Sequence, residues 1–181
     1  MNSSAVRSML PRTVVVLGCV SFLNDAASEM ITPLLPVFLT AALGAGPAIV
    51  GLVEGVAEAT ASVLKLVSGR LADRGWRPKN LVLAGYAASN VTRPLVGLAL
   101  GWPVVLALRF LDRLGKGIRT APRDALIAGS TEPANRGRAF GFHRSMDHAG
   151  AVVGPLVAFW LLASGVPLAD VFLWSIVPGV L

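Results

Sequence analysis

The sequence predicts an all-α membrane protein, a helical bundle of five full transmembrane helices followed by part of a sixth. Three observations carry this. First, 54% of the 181 residues are hydrophobic and only 14% are charged, with mean hydropathy +0.68, whereas soluble domains carry about 25% charged residues. Second, the apolar runs are long enough to cross a hydrocarbon core of about 30 Å, which takes about 20 helical residues. Third, basic residues occupy alternate connections. Arg7 and Arg12 precede the first run, Arg70, Arg74, Arg77 and Lys79 lie between the second and third, and Arg136 and Arg138 lie between the fourth and fifth. Residues 41–47, 101–103 and 163–167 contain no Lys or Arg. This alternation follows the positive-inside rule and puts residues 1–12 in the cytoplasm, with the bundle in the inner (cell) membrane. A soluble fold, a large extramembrane enzyme domain and, with Cys19 alone, a disulfide scaffold are excluded. The formal charge of +6 therefore reflects topology, not nucleic-acid binding.

Taken in order, span 1 covers about 13–40. It is too long for a signal-peptide core and carries Asn24, Asp25 and Glu29, so it is read as uncleaved. Span 2 covers about 49–68, span 3 about 80–100, and span 4 about 102–128 with Pro122 as the expected kink or break. Span 5 covers about 138–162. The connections on the uncharged side are short and contain Gly and Pro, which suits tight helix hairpins. Residues 170–181 read as the start of a sixth helix of ~18 Å, too short to cross. The expectation is a chain that stops inside a membrane helix.

Charged residues inside a bilayer cost at least about 2.5–3.5 kcal/mol each on insertion scales and are rare unless paired or facing water. This chain has many. At ~100° per residue, Glu54, Glu58 and Lys65 fall within about 40° of one another, and the span 4 charges within about 140° if the helix survives Pro122. Counted at ~1.5 Å per residue, Asp25, Glu29, Glu54, Glu58, Arg109, Arg113, Asp147 and His148 all approach the middle of the core. The functional reading is a polar cavity for substrate or protons, with Asp25, Glu29, Glu54, Glu58, Arg109, Asp112, Arg113, His143 and Asp147 as candidate pathway residues. The structural alternative is a set of ion pairs that holds the bundle together. Arg109 stays charged at any depth, so it needs an acid or an anionic substrate. Asp25, Glu29, Glu54, Glu58 and Asp112 are its candidate partners. His143 and Asp147, spaced i, i+4, are read equally as a proton relay or as a satisfied polar pair.

Three motifs carry a family resemblance. Gly69-Arg-Leu-Ala-Asp73-Arg74-Gly-Trp-Arg77-Pro-Lys79 follows the second span. It resembles the G-x-L-A-D-R-x-G-R-R loop of the major facilitator superfamily, with Trp76 at the second glycine's place and Pro78 for a basic residue. Arg109 through Gly117 resembles that family's fourth-helix motif, with Arg109 and Gly115 in place and Asp112 and Arg113 as departures. Gly150-Ala-Val-Val-Gly154-Pro155 resembles the first part of the antiporter pattern, whose last two glycines are here Ala158 and Phe159. The resemblance implies the N-terminal half of a twelve-span secondary transporter of a bacterial subgroup. It also implies a gating loop at Gly69, Asp73, Arg74 and Arg77, and a helix-packing site at Gly150, Gly154 and Pro155.

The expected partners are the lipid bilayer, a missing C-terminal half, a small-molecule substrate and protons, with an anionic substrate favoured by the basic stripe of span 4. No cofactor or metal is expected. Gly115-Lys-Gly-Ile-Arg-Thr is not a phosphate-binding loop, because Phe110 stands where that loop needs glycine. A membrane-embedded enzyme acting on lipid and a non-transporting truncated fragment are the alternative classes.

Overall fold

The computed structural model describes residues 10–73 and 77–181; among them every regular element is helical. Helix α1 (Arg12–Ile31) does not run unbroken to residue 40 as expected. Pro33 and Pro36 lack amide hydrogens. Around them the chain tightens into a 3₁₀ turn at Thr32–Leu34, passes through the short α2 (Leu35–Val37) and widens into a π turn at Phe38–Ala42. Gly44, at φ +64°, then reverses the chain; that left-handed conformation costs glycine nothing. Helix α3 (Pro47–Asp73) and helix α4 (Pro78–Leu95) follow. The second ends one residue past Pro94 and closes in a 3₁₀ turn at Val96–Leu98.

Helix α5 (Trp102–Gly129) continues helical through Pro122, so the span runs to about residue 128 as expected and Pro122 does not end it. Helix α6 (Arg136–Ala163) likewise continues through Pro155. Gly165, at φ +85°, leads into α7 (Leu168–Trp174) and α8 (Ile176–Val180). The predicted single helix over 170–181 is therefore two short helices that meet at Ser175, whose Oγ donates to the Phe172 carbonyl at 2.6 Å.

Among the described residues three stretches are long and apolar enough to cross a membrane by composition: Arg12–Ala42, Pro47–Arg70 and Pro133–Ala163. The expectation of five is not met on that measure. Helix α4 is only 18 residues long and includes Lys79, Asn80, Asn90 and Arg93, while α5 carries seven charges between Arg109 and Asp124. The bundle's outer surface is nevertheless apolar, with Leu66, Leu98, Phe159 and Trp160 each at least 60% exposed.

Helix α1 packs chiefly on α6, and α5 chiefly on α3 and α4. Each seam is made by glycines that let backbones touch. A methyl group placed on Gly154 would lie 2.5 Å from the Ala26 carbonyl oxygen, and one on Gly150 would strike the Phe22 carbonyl. Gly85 of α4 faces Gly115 of α5: a methyl on either would come within 2.5 Å of the other's carbonyl oxygen. Gly117 sits as tightly against Ala61 and Leu64 of α3. The main apolar core, which includes Ile31, Leu35, Leu39, Val105 and the Phe38–Phe172 pair with centroids 5.0 Å apart, closes one end of the bundle.

Candidate functional site: a buried ion network beside a polar cavity

These seams bring the charges of five helices together in two separate groups. The first is buried. Arg93 of α4, 2% exposed, donates from Nε to Asp112 Oδ1 at 2.9 Å. Its Nη1 donates to the Asn24 carbonyl at 3.0 Å and to Asn24 Oδ1 at 2.9 Å. One turn before Asp112 on α5, Arg109 donates from Nη2 to both Glu54 oxygens at 2.9 and 3.0 Å. Its Nη1 lies 3.7 Å from Asp112 Oδ2. The group therefore runs from Asn24 on α1 through Arg93, Asp112 and Arg109 to Glu54 on α3. Three helices are pinned by charges that pair with one another and α1 is tied in through the neutral Asn24, which is how such groups persist away from water.

The second group lines a cavity of about 260 Å³ between α1, α3, α5 and α6. Its cations are Lys65, Lys116, Arg119, Arg123 and Arg144. Its carboxylates are Asp25, Asp124 and Asp147, and His148, Thr120 and Ala151 complete the lining. Arg119 is held rigidly: it is 3% exposed, donates from Nη1 to Ser89 Oγ at 2.8 Å and stacks 4.6 Å from the Tyr86 ring centroid. Behind the wall runs a hydrogen-bonded chain. Tyr86 Oη and Ser21 Oγ are 3.0 Å apart, Ser21 Oγ and His143 Nε2 2.9 Å. His143 Nδ1 is 3.4 Å from Asp147 Oδ2, which also lies 4.0 Å from Arg123 Nη1.

Of the residues predicted from sequence, Asp25 and Asp147 line the cavity and His143 joins it through Asp147. Glu54, Arg109 and Asp112 belong to the buried network instead. Of the five acids proposed for Arg109, Glu54 and Asp112 are within 4 Å; Asp25, Glu29 and Glu58 make no ion pair with it. Glu29 is half-buried and Glu58 exposed. Arg113 is 5% exposed, and neither its Nε nor its Nη1 has a hydrogen-bond partner. The expected meeting of all these charges thus resolves into two groups, because helical spacing within one span does not fix which neighbouring helix a charge faces.

In the predicted gating loop, Gly69 packs toward Ala121 of α5, with 3.7 Å between a built methyl and the Ala121 Cβ. Arg77 is exposed ahead of α4. The Asp73 side chain and the whole of Arg74 lie outside the described residues, as do residues 1–9 of the predicted cytoplasmic N-terminus. Arg93, Ser21, Tyr86 and Ser89 were not among the predicted site residues. Arg93 had a signal, a lone charge in an apolar run; the three hydroxyl residues had none. Among the described residues no group of three or more His, Cys, Asp or Glu is placed to hold a metal ion.

The family model of the Major Facilitator Superfamily matches residues 17–181. The chain belongs to that superfamily. An uncharacterized MFS-type transporter of Methanocaldococcus jannaschii is 42% identical over 145 residues, which is 80% of this chain and 36% of the relative. An uncharacterized protein of Mycobacterium tuberculosis is 41% identical over 84% of this chain and 37% of its own length. A multidrug resistance protein of Photorhabdus laumondii is 31% identical over 74% of this chain and 33% of its own length. The chain thus spans well under half the length of these relatives. Among solved structures, a bacterial homolog of the human lysosomal transporter Spinster, inward-facing and unoccupied, superimposes with a TM-score of 0.73 at 19% identity, over 93% of this chain and 40% of that one. At that identity the likeness establishes the fold. Membership in the Major Facilitator Superfamily makes the chain part of a multi-pass membrane transporter family, not an enzyme family.

Proposed function

We propose that this chain forms one half of a secondary active transporter that moves a small anionic molecule across the cell's inner membrane in exchange for, or together with, protons. The observation that carries the reading is the charged cavity between α1, α3, α5 and α6, set inside a bundle with an apolar exterior. All five long helices cross in this reading. The charges of α5 are compatible with crossing because Arg109, Asp112, Arg113 and Arg119 are buried against neighbouring helices. The basic connections put the N-terminus in the cytoplasm. The second wall of the cavity comes from a partner half, since the relatives are well over twice as long as the matched region.

Protons are carried by Asp25 and Asp147, the two carboxylates facing the cavity from α1 and α6. The His143–Ser21–Tyr86 chain connects Asp147 to the packed interior. Glu54, with its side chain 38% exposed, can release Arg109 when the cavity rearranges. The loop carrying Gly69, Asp73, Arg74 and Arg77 latches the cytoplasmic helix ends, and the Gly150-Gly154-Pro155 segment provides the pivot of α6 against α1. Rocking of the two halves about the central site alternates access.

The full-length gene product, reconstituted into proteoliposomes, tests this. Substrate-dependent acidification or alkalinisation of the lumen is expected, and Asp25→Asn and Asp147→Asn abolish the proton movement. Uptake with no accompanying proton movement in the unmodified protein removes the coupling; unchanged coupling in both variants removes these carboxylates as carriers.

A further inference from the structure

The charges around the cavity do not balance, and the imbalance indicates what it binds. Among the described residues five cations face three carboxylates, a formal surplus of two. The carboxylates are also committed. Asp124 takes the Arg123 guanidinium at 3.0 Å, Asp147 shares Arg123 and His143, and Asp25 accepts from Asn24 Nδ2 at 3.2 Å. Among the described residues Lys65, Lys116 and Arg144 form no ion pair. Arg119 is satisfied only by the neutral Ser89 and the face of Tyr86. Unpaired charge away from bulk water is costly, which bears on the buried Arg119 and the half-buried Lys116; Arg119, already held by Ser89 and Tyr86, meets an anion without further ordering.

Shape and lining narrow the class. Among the described residues Ala151 is the one apolar residue in this half's wall of the cavity, so this wall offers neither an acyl chain nor a lipophilic drug cation a matching surface. The volume of about 260 Å³ exceeds a single water's share of ~30 Å³ several-fold, enough for an oxyanion with a short polar body. Arg and Lys are the side chains suited to phosphate and carboxylate oxygens.

We infer that the cavity binds a small dianion, a phosphate- or sulfate-type oxyanion free or on a short polar body, seated against Lys116, Arg119 and Arg144. This deepens the transport reading above and rests on it.

The test uses the full-length gene product in detergent and measures dissociation constants for sulfate, methyl phosphate, acetate, tetraphenylphosphonium and dodecyl phosphate. The expected order puts sulfate and methyl phosphate about tenfold or more below acetate, as one additional close charge pair provides. Removing one positive charge by Lys116→Gln, or by Arg144→Gln at an exposed position that does not threaten folding, brings the dianions level with acetate. Asp25→Asn raises the surplus and tightens dianion binding. Tighter binding of tetraphenylphosphonium, or of dodecyl phosphate over methyl phosphate, overturns the inference, as does absence of binding by any dianion. Proton-coupled uptake of a neutral or cationic solute in the same preparation would overturn it while leaving the transport reading intact.

Discussion

One helix supplies two kinds of charge. From Arg109 to Asp112, α5 faces α3 and α4, and each ionic group there has an opposite charge within 4 Å. From Lys116 to Asp124, beginning about one turn further on, it faces the cavity, where cations outnumber acids among the described residues. The residue types are the same; the environment differs. In the first region Gly85 and Gly115 bring the α4 and α5 backbones together, and the buried Arg93, Arg109 and Asp112 each meet an opposite charge, with Arg113 next to them the buried exception. In the second, α1 and α6 stand away from α5 on that side, space remains, and unmatched charge is left to attract a ligand. Charge in a membrane helix therefore needs its neighbours' spacing before it can be read as structure or as function.

Substitutions can break this comparison, and the largest effect belongs to the matched region. Arg93→Ala leaves Asp112 buried beside a single distant guanidinium nitrogen and is expected to cost about 3–5 kcal/mol of stability, read from denaturant unfolding of the detergent-purified full-length protein. If its cost is no greater than that of losing a cavity cation, the two regions are not different in kind. Next, Gly115→Val drives a side chain into the Gly85 carbonyl and Ser89. Overpacking of this sort costs about 1–3 kcal/mol, visible as a lowered melting temperature, and it should also loosen the Ser89 bonds to Asp112 and Arg119. Ser21→Ala removes the link between Tyr86 and His143 and is expected to cost about 1 kcal/mol while slowing proton movement in proteoliposomes. Glu54→Gln sharpens the contrast within the network. Its half-exposed carboxylate should be worth about 0–1 kcal/mol, well below Arg93, in the same unfolding assay. Smallest in stability is Lys65→Gln, within about 0.5 kcal/mol of the parent, with uptake nevertheless reduced because a cavity charge is gone.

The sequence made the shared face of each charge set legible, but not the neighbour that face meets. Counting residues along each span put Glu54, Arg109 and Asp147 near mid-membrane, and helical spacing gathered each set on one face. Which neighbour that face meets depends on helix–helix packing, and no count within one helix contains it. Arg109 was recognised as needing an acid, and both partners it found were among those proposed. Arg93 was visible as an isolated charge, yet its bridge between Asn24 and Asp112 needs three helices in register. Gly150 and Gly154 were legible because their spacing lies within one helix. The equally tight Gly85–Gly115 contact was not, since its two halves are thirty residues apart and neither has a periodic companion. The break at the end of α1 had a signal in Pro33 and Pro36 that the long apolar run masked.

The Gly85–Gly115 contact also bears on which sequences can replace one another. A new side chain at either position collides with a backbone carbonyl, and a carbonyl cannot be made smaller by mutation. A defect created at Gly85 should therefore have no suppressor at residue 115, in contrast to ordinary core contacts where a large residue is relieved by shrinking its neighbour. Revertants should restore glycine itself or arise at distant sites that let α4 and α5 separate. Those that separate the helices draw Ser89 away from the Asp112 carbonyl, so genetic repair of packing at this seam weakens the polar link beside it.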